Sequence, residues 1–416
     1  MKQKKPAPVR QRPAPGAWLR RNLPALLILA VCVGLFAWLF VTANQGRIFN
    51  AQKAEETAYT DADGHTVSVT VETAEVINIS RDTLAVDRNN PDGLETGNQL
   101  LLVRLTSGTH AGQAVEVLTF VGFYTGERLA VGDPITVLQT ETAETGALSL
   151  AVKNYDRSRD VYLVLGLFLL VVLIVGGKTG LKSLLGLGFT VVALIWIFCP
   201  LWMKGAEPVW LALGLCTLVS VMSFVILGGT SRKILCAILG TLAGMVLAAL
   251  FAQLAQALCR ITSYAMYDAG ADFTELVNLQ ERDYPLHLQG ILTAGIIISS
   301  LGAVMDVAMS LSSAISELKT VNGGLGVREL WKSGMHIGRD MVGTMTNTLI
   351  LAFVGSSLVL VIRLWSQGSG YRSLMASKYL SVELISALSS SIGVILAVPL
   401  TALIGAVLFG GRPEQK

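Results

Sequence analysis

From residue 161 onward this chain is a succession of apolar runs separated by short polar turns, and no other feature limits its fold as strongly. A helix rises about 1.5 Å per residue, so roughly twenty apolar residues match the ~30 Å hydrocarbon core of a bilayer. Inside lipid every backbone N–H and C=O must be satisfied within the structure, and runs of this length do that as helices. We read spans near residues 161–175, 184–203, 208–227, 234–259, 290–311, 341–363 and 384–409. The composition agrees: 52% of the residues are apolar, 15% are charged, and mean hydropathy is +0.58. This is the profile of an integral membrane protein rather than a soluble domain.

An eighth span precedes these. Residues 1–22 are basic and proline-rich and carry no acid, the composition of a disordered cytoplasmic tail. Residues 23–43 then form an apolar run ending in Val41 and Ala43, spaced as at a signal-peptidase site. About twenty apolar residues are long for a signal peptide, so an uncleaved anchor is expected. Charge distribution tests the layout. With eight spans, the tail, the inner turns and the 412–416 terminus hold 17 Lys and Arg, against 6 in the short outer loops. Cytoplasmic segments carry the excess of Lys and Arg. Both termini are therefore expected in the cytoplasm, with residues 160–411 forming a seven-helix membrane domain.

Residues 44–159 have a different texture. Runs such as NQLLLVRLTSG and QAVEVLTFVG alternate in character and are separated by turn signals such as NNPDG. Five or six short strands suit a small antiparallel barrel, OB-like, with a small sandwich as the alternative. On the eight-span layout this domain is extracytoplasmic. Its strands show no aromatic platform or basic groove, so nucleic acid is not an expected partner.

Glycine pairs recur at the inner ends of the spans: Gly176–Gly177, Gly228–Gly229, Gly323–Gly324 and Gly410–Gly411. Helix capping through the left-handed conformation is the expected use, with anion binding as the rival for GGKTG. GGKTGLKSLLGLG (176–188) also echoes GGTSRKILCAILG (228–240) at an offset of 52 residues, which hints at related hairpins. In the second copy, Gly240 and Gly244 form a G-x-x-x-G pair suited to close helix packing.

Polar residues inside the spans mark the candidate site. Asp306, Ser310, Ser313 and Glu317 fall at i, i+4, i+7 and i+11, one stripe along one helix face. Asp340, Thr344 and Asn347 repeat the pattern, with Thr346 and Thr348 beside them. A carboxylate at mid-membrane costs at least about 2.5–3.5 kcal/mol, so Asp306 reads as functional rather than incidental. An antiparallel hairpin would let Asn347 hydrogen-bond Asp306, and would let Glu317, Arg339 and Asp340 form a charged gate at the cytoplasmic end. Gly302, Gly334, Gly338 and Gly343 surround the stripes, and Pro399 with Thr401 suggests a kink facing a cavity. The acidic loop 260–289 reads as a solvated surface. The five cysteines lie in or beside apolar runs, the four histidines are scattered, and no phosphate-binding or hydrolase motif occurs. Neither a metal nor a cofactor is expected, and an enzyme is disfavoured because only one deep carboxylate is present.

Four ordered stretches carry a resemblance: GGTSRKILCAILGTLAG (228–244), SSLGAVMDVAMSLSSAISEL (299–318), SGMHIGRDMVGTMTNTLILAFVG (333–355) and AVPLTALI (397–404). They resemble the YibE/F-like membrane proteins from about residue 45 to the end. The resemblance implies a bacterial multi-spanning protein of the cell membrane, without a transferable substrate. The expectation is a secondary transporter or permease for an ion or small polar solute. Asp306 would be the linked group, and Asn347, Ser310, Ser313, Thr344 and Thr348 would supply binding oxygens. The alternative is a membrane scaffold or sensor whose β domain binds a protein partner or a second copy.

Overall fold

The computed structural model describes residues 15–44, 56–60, 66–86, 93–122, 126–142, 148–261, 285–366, 368 and 370–410. The basic tail up to residue 14, most of the acidic loop and the end of the chain lie outside these residues. Two compact units are present: Gly46–Val175, and Met1–Gln45 with Gly176–Lys416. The β-rich unit thus extends beyond the 44–159 boundary read from composition.

That unit is a seven-stranded antiparallel sheet: β1 (Glu56–Thr60), β2 (Thr66–Asp82), β3 (Ala85–Val86), β4 (Glu95–Leu105), β5 (Ala114–Val121), β6 (Pro134–Thr142) and β7 (Leu148–Tyr155). The 17-residue β2 organises it. Val67–Glu75 pairs with β6, and Ala74–Asp82 pairs with β4 across two register shifts. The order β5-β4-β2-β6-β7 brings its two end strands, β5 and β7, against each other, with no ladder between them among the described residues. Alternation sets its core. Leu101, Val103 and Leu105 of β4 are buried with Val76, Val117, Ile135 and Val137, while the intervening Arg104 is exposed. Burying such a side chain contributes about 1.5–3 kcal/mol. The turn into the next helix is closed by Asp156, whose carboxylate accepts the Ser158 backbone N–H at 3.0 Å. The Ser158 hydrogen bonds hold that carboxyl below its usual range.

The helical elements are α1 (Pro15–Asn44), α2 (Ser158–Ala193), α3 (Pro208–Gly228), α4 (Arg232–Leu258), α5 (Ile291–Val321), α6 (Val327–Ser356), α7 (Leu358–Ser366), α8 (Tyr371–Met375) and α9 (Lys378–Gly410). A π-helical turn, Leu194–Phe198, and a last α turn, Cys199–Met203, carry α2 onward. Among the described residues, six helices are long and apolar enough to cross a membrane, or seven if α6 and α7, bent by 56°, make one span. The 46-residue run from Ser158 to Met203 counts once in that tally. It breaks at Gly177, whose φ of 51° and ψ of −131° are not helical. Gly229, its counterpart 52 residues on, caps α3 with φ 69° and ψ −152°, and its N–H reaches the Val225 carbonyl at 2.9 Å. The sequence echo is therefore matched by a shared backbone conformation.

Small residues bring α4, α5, α6 and α9 close. A Cβ on Gly244 would lie 2.7 Å from Val304 and 2.9 Å from Ala397, and one on Gly393 would lie 2.7 Å from Ala248. Gly240 faces Thr401, and Gly338 faces Val398. Close backbone approach is how helices associate where lipid removes the hydrophobic drive. Thr401, two residues after Pro399, is fully buried against Gly240 of α4.

Candidate functional site

Asp306 is the midpoint of α5, with Ile291 and Val321 each 15 residues away. The apolar run over residues 290–311 continues as helix to Val321, because Ile315 and Leu318 keep the apolar period into a more polar stretch. Asp306 thus stands about 22 Å of helix from either end. Its stripe is set by periodicity. Val304, Val307, Leu311 and Ile315 are buried against α6 and α9. Asp306, Ser310 and Glu317 lie about half a turn away and are not covered by protein, while Ser313 is half-buried.

Asp306 lines a cleft of about 380 Å³ whose walls come from α2 after its break, α3 and α5. Lys182, Ser183 and Thr190 of α2, Ser223 of α3 and Gly302 of α5 share the lining, and Leu187, Leu215, Val219, Leu301 and Met305 make it mainly apolar. Gly186 holds α2 against α3 there, since a Cβ would stand 3.3 Å from Ser223 Oγ. A cleft of this size with a few convergent polar groups has the general form of a small-molecule site. No ion pair joins Lys182 to Asp306 among the described residues, leaving both groups available to a guest.

The second stripe lies elsewhere. On α6, Leu330, Gly334 and Gly338 face the core, whereas Asp340, Thr344, Asn347 and Thr348 are exposed. Counted from the turn between the helices, Asp306 is 15 residues from the end of α5 and Asn347 is 20 residues beyond the start of α6. In an antiparallel pair that offset is about 7 Å. The structure does not bring Asn347 to Asp306: no hydrogen bond joins them among the described residues, and Asn347 does not line the cleft. Thr344 Oγ1 donates to the Met341 carbonyl at 3.1 Å and Thr348 Oγ1 to the Thr344 carbonyl at 2.9 Å, so both hydroxyl protons serve their own helix. Glu317, Arg339 and Asp340 are all exposed, and no ion pair joins them among the described residues.

Two polar groupings escaped the sequence reading. One is the cleft contribution of Lys182, Ser183, Thr190 and Ser223, on helices distant in sequence from Asp306. The other is a buried belt in which Gln256 Nε2 donates to Thr293 Oγ1 at 2.8 Å and the Ser299 and Ser390 hydroxyls meet at 3.2 Å. These bonds join α4 to α5 and α5 to α9, an architectural use for Ser299. Among the described residues no group of three or more metal-binding side chains occurs.

Comparison with curated proteins and with solved structures returned no match. A family model does match, over residues 164–411, a stretch that holds both polar stripes and the cleft but starts beyond the sheet. This match is narrower than the resemblance read from about residue 45, and it covers well over half of the 416 residues. The chain belongs to the YibE/F-like protein family.

Proposed function

We propose that this is a secondary transporter or permease for an ion or small polar solute, in which Asp306 is the proton- or cation-linked group. One observation carries the reading: a carboxylate at the middle of an apolar helix faces a cleft instead of the packed core. A carboxylate needed only for packing would be expected on the buried face with a fixed partner, because an uncompensated charge in lipid is costly. Ser183, Thr190 and Ser223 supply nearby oxygens, and Lys182 supplies an opposite charge at the same cleft.

The topology proposed with it has eight spans in a bacterial cell membrane, both termini cytoplasmic and the β unit outside. Two considerations support that count. The run Ser158–Met203, with its break at Gly177, has more than twice the roughly twenty residues one crossing needs, and α6 with α7 makes one bent span. The Lys and Arg asymmetry supports the orientation. No cofactor or enzymatic step belongs to this reading.

The test is flux in proteoliposomes containing the full chain. Under imposed pH and cation gradients, the wild-type protein is expected to collapse one gradient faster than empty vesicles. Asp306→Asn should remove most of that rate while preserving assembly. Equal rates for wild type and D306N would sink the proposal. Partner capture through the β unit, unaffected by D306N, would favour the scaffold reading instead.

A further inference from the structure

The N-terminal half of α6 carries a feature that the transport reading does not use. Arg328, Lys332, His336 and Arg339 recur at i, i+4, i+8 and i+11. At about 100° per residue these positions fall within an arc of about 80°, opposite the buried Leu330, Gly334 and Gly338. All four are exposed. Among the described residues none of them forms an ion pair with an acid. The nearby acids do not neutralise the stripe: Glu329 accepts the Gly326 N–H at 3.0 Å, and Asp340 borders the arc without lining the cleft beside it. That cleft, of about 580 Å³, is lined by Lys332, His336 and Arg339 together with Leu318, Trp331 and Ile337. The adjoining turn is braced, since Lys319 Nζ donates to the Gly323 and Leu325 carbonyls at 2.9 Å each.

We infer that this cleft binds the phosphate of an anionic phospholipid, with the acyl chains continuing along the apolar part of α6. Three observations favour a lipid over a soluble phosphate. Apolar side chains share the lining with the cations, which suits an amphiphile. Trp331 stands at the cleft with 42% of its surface exposed, and an indole in that position is typical of the membrane–water boundary. The same helix then becomes apolar and exposed at Ile350, Leu351 and Val354, so the stripe lies where α6 passes from a polar to an apolar surround. Basic pockets beside membrane helices recognise acidic headgroups through charge-assisted hydrogen bonds, and each nearby Lys or Arg adds to that attraction.

The experiment is native mass spectrometry of the full chain released from detergent with equal amounts of phosphatidylglycerol and phosphatidylcholine. The wild type is expected to retain phosphatidylglycerol selectively, and K332Q/R339Q should retain it on the order of tenfold less. The charge-conserving K332R/R339K should retain most of it, which separates loss of charge from loss of fold. If K332Q/R339Q does not assemble, H336A removes one donor and should lower retention measurably. Equal retention of the two lipids by wild type, or wild-type retention by K332Q/R339Q, would overturn the inference. Displacement of bound phosphatidylglycerol by excess inorganic phosphate, with the phosphate itself then held, would overturn the lipid assignment in favour of a soluble ligand. None of these outcomes depends on Asp306.

Discussion

Gln99 and Asp306 are both polar residues in apolar surroundings, and their different partners separate architecture from function. Gln99 is fully buried in the sheet. Its Oε1 accepts the Leu129 N–H at 3.0 Å, and its Nε2 donates to the Leu129 carbonyl and to Asp82 Oδ2 at 3.2 Å each. It therefore replaces a strand partner for the Leu129 backbone. Removing such a side chain leaves a buried donor and acceptor unpaired, at a cost of about 1–3 kcal/mol. Gln99→Leu should lower the unfolding midpoint of the sheet in the intact protein, read by near-ultraviolet circular dichroism. An unchanged midpoint would mean that water or relaxation satisfies Leu129. Asp306 has no comparable set of protein partners, and its candidacy was legible because charge in an apolar run is costly. Lys182 and Ser223 were not legible as its neighbours. No periodicity rule links residues on different helices, and Lys182 read only as a topology charge.

At the scale of elements, the sequence marked glycines and helical faces but not which faces met. Helical period put Asp306 and Asn347 on stripes, and the stripes exist. An antiparallel hairpin invites the inference that two polar stripes face each other, yet the apolar and small faces pack instead. Val304, Leu311 and Ile315 on α5, with Gly334 and Gly338 on α6, make the close surface. The G-x-x-x-G reading of Gly240 and Gly244 succeeded because that motif encodes close approach itself. Two glycines on one helix then differ sharply. A side chain on Gly338 would collide with Val398, whereas Gly343 has nothing within 4 Å of an added Cβ. Overpacking a tight core costs about 1–3 kcal/mol, while Gly to Ala in an open helix position gains about 0.5–1 kcal/mol. Gly338→Val should therefore lower the melting temperature in detergent, and Gly343→Ala should leave it equal or raise it. Matching losses for both would indicate that the exposed face of α6 is covered by something beyond this chain.

For the whole molecule, the apolar runs specified a unit of long apolar helices and the alternating runs a separate sheet, because both patterns are local. Span count is less local: it depends on whether a break such as Gly177, or the 56° bend between α6 and α7, separates two crossings or bends one. The eight-span layout makes a strict prediction at this scale. Residue 324, in the turn between α5 and α6, should face the cytoplasm, and residue 109, between β4 and β5, should face outward. Cys199 and Cys259 are exposed, so the five native cysteines must first be replaced, conservatively because three are buried. In that background, Thr109→Cys should react with a membrane-impermeant maleimide in intact cells. Gly324→Cys should react only after permeabilisation. Reaction of both from one side would require an odd number of crossings to be gained or lost between them. If the Lys and Arg excess orients the chain as the proposed topology requires, neutralising the inner cations around Arg232 and Lys233 should raise the misoriented fraction, read as external labelling of Gly324→Cys. If that fraction stays at background while the charges are removed, the orientation is set elsewhere in the chain, and the basic stripe on α6 becomes the next determinant to test.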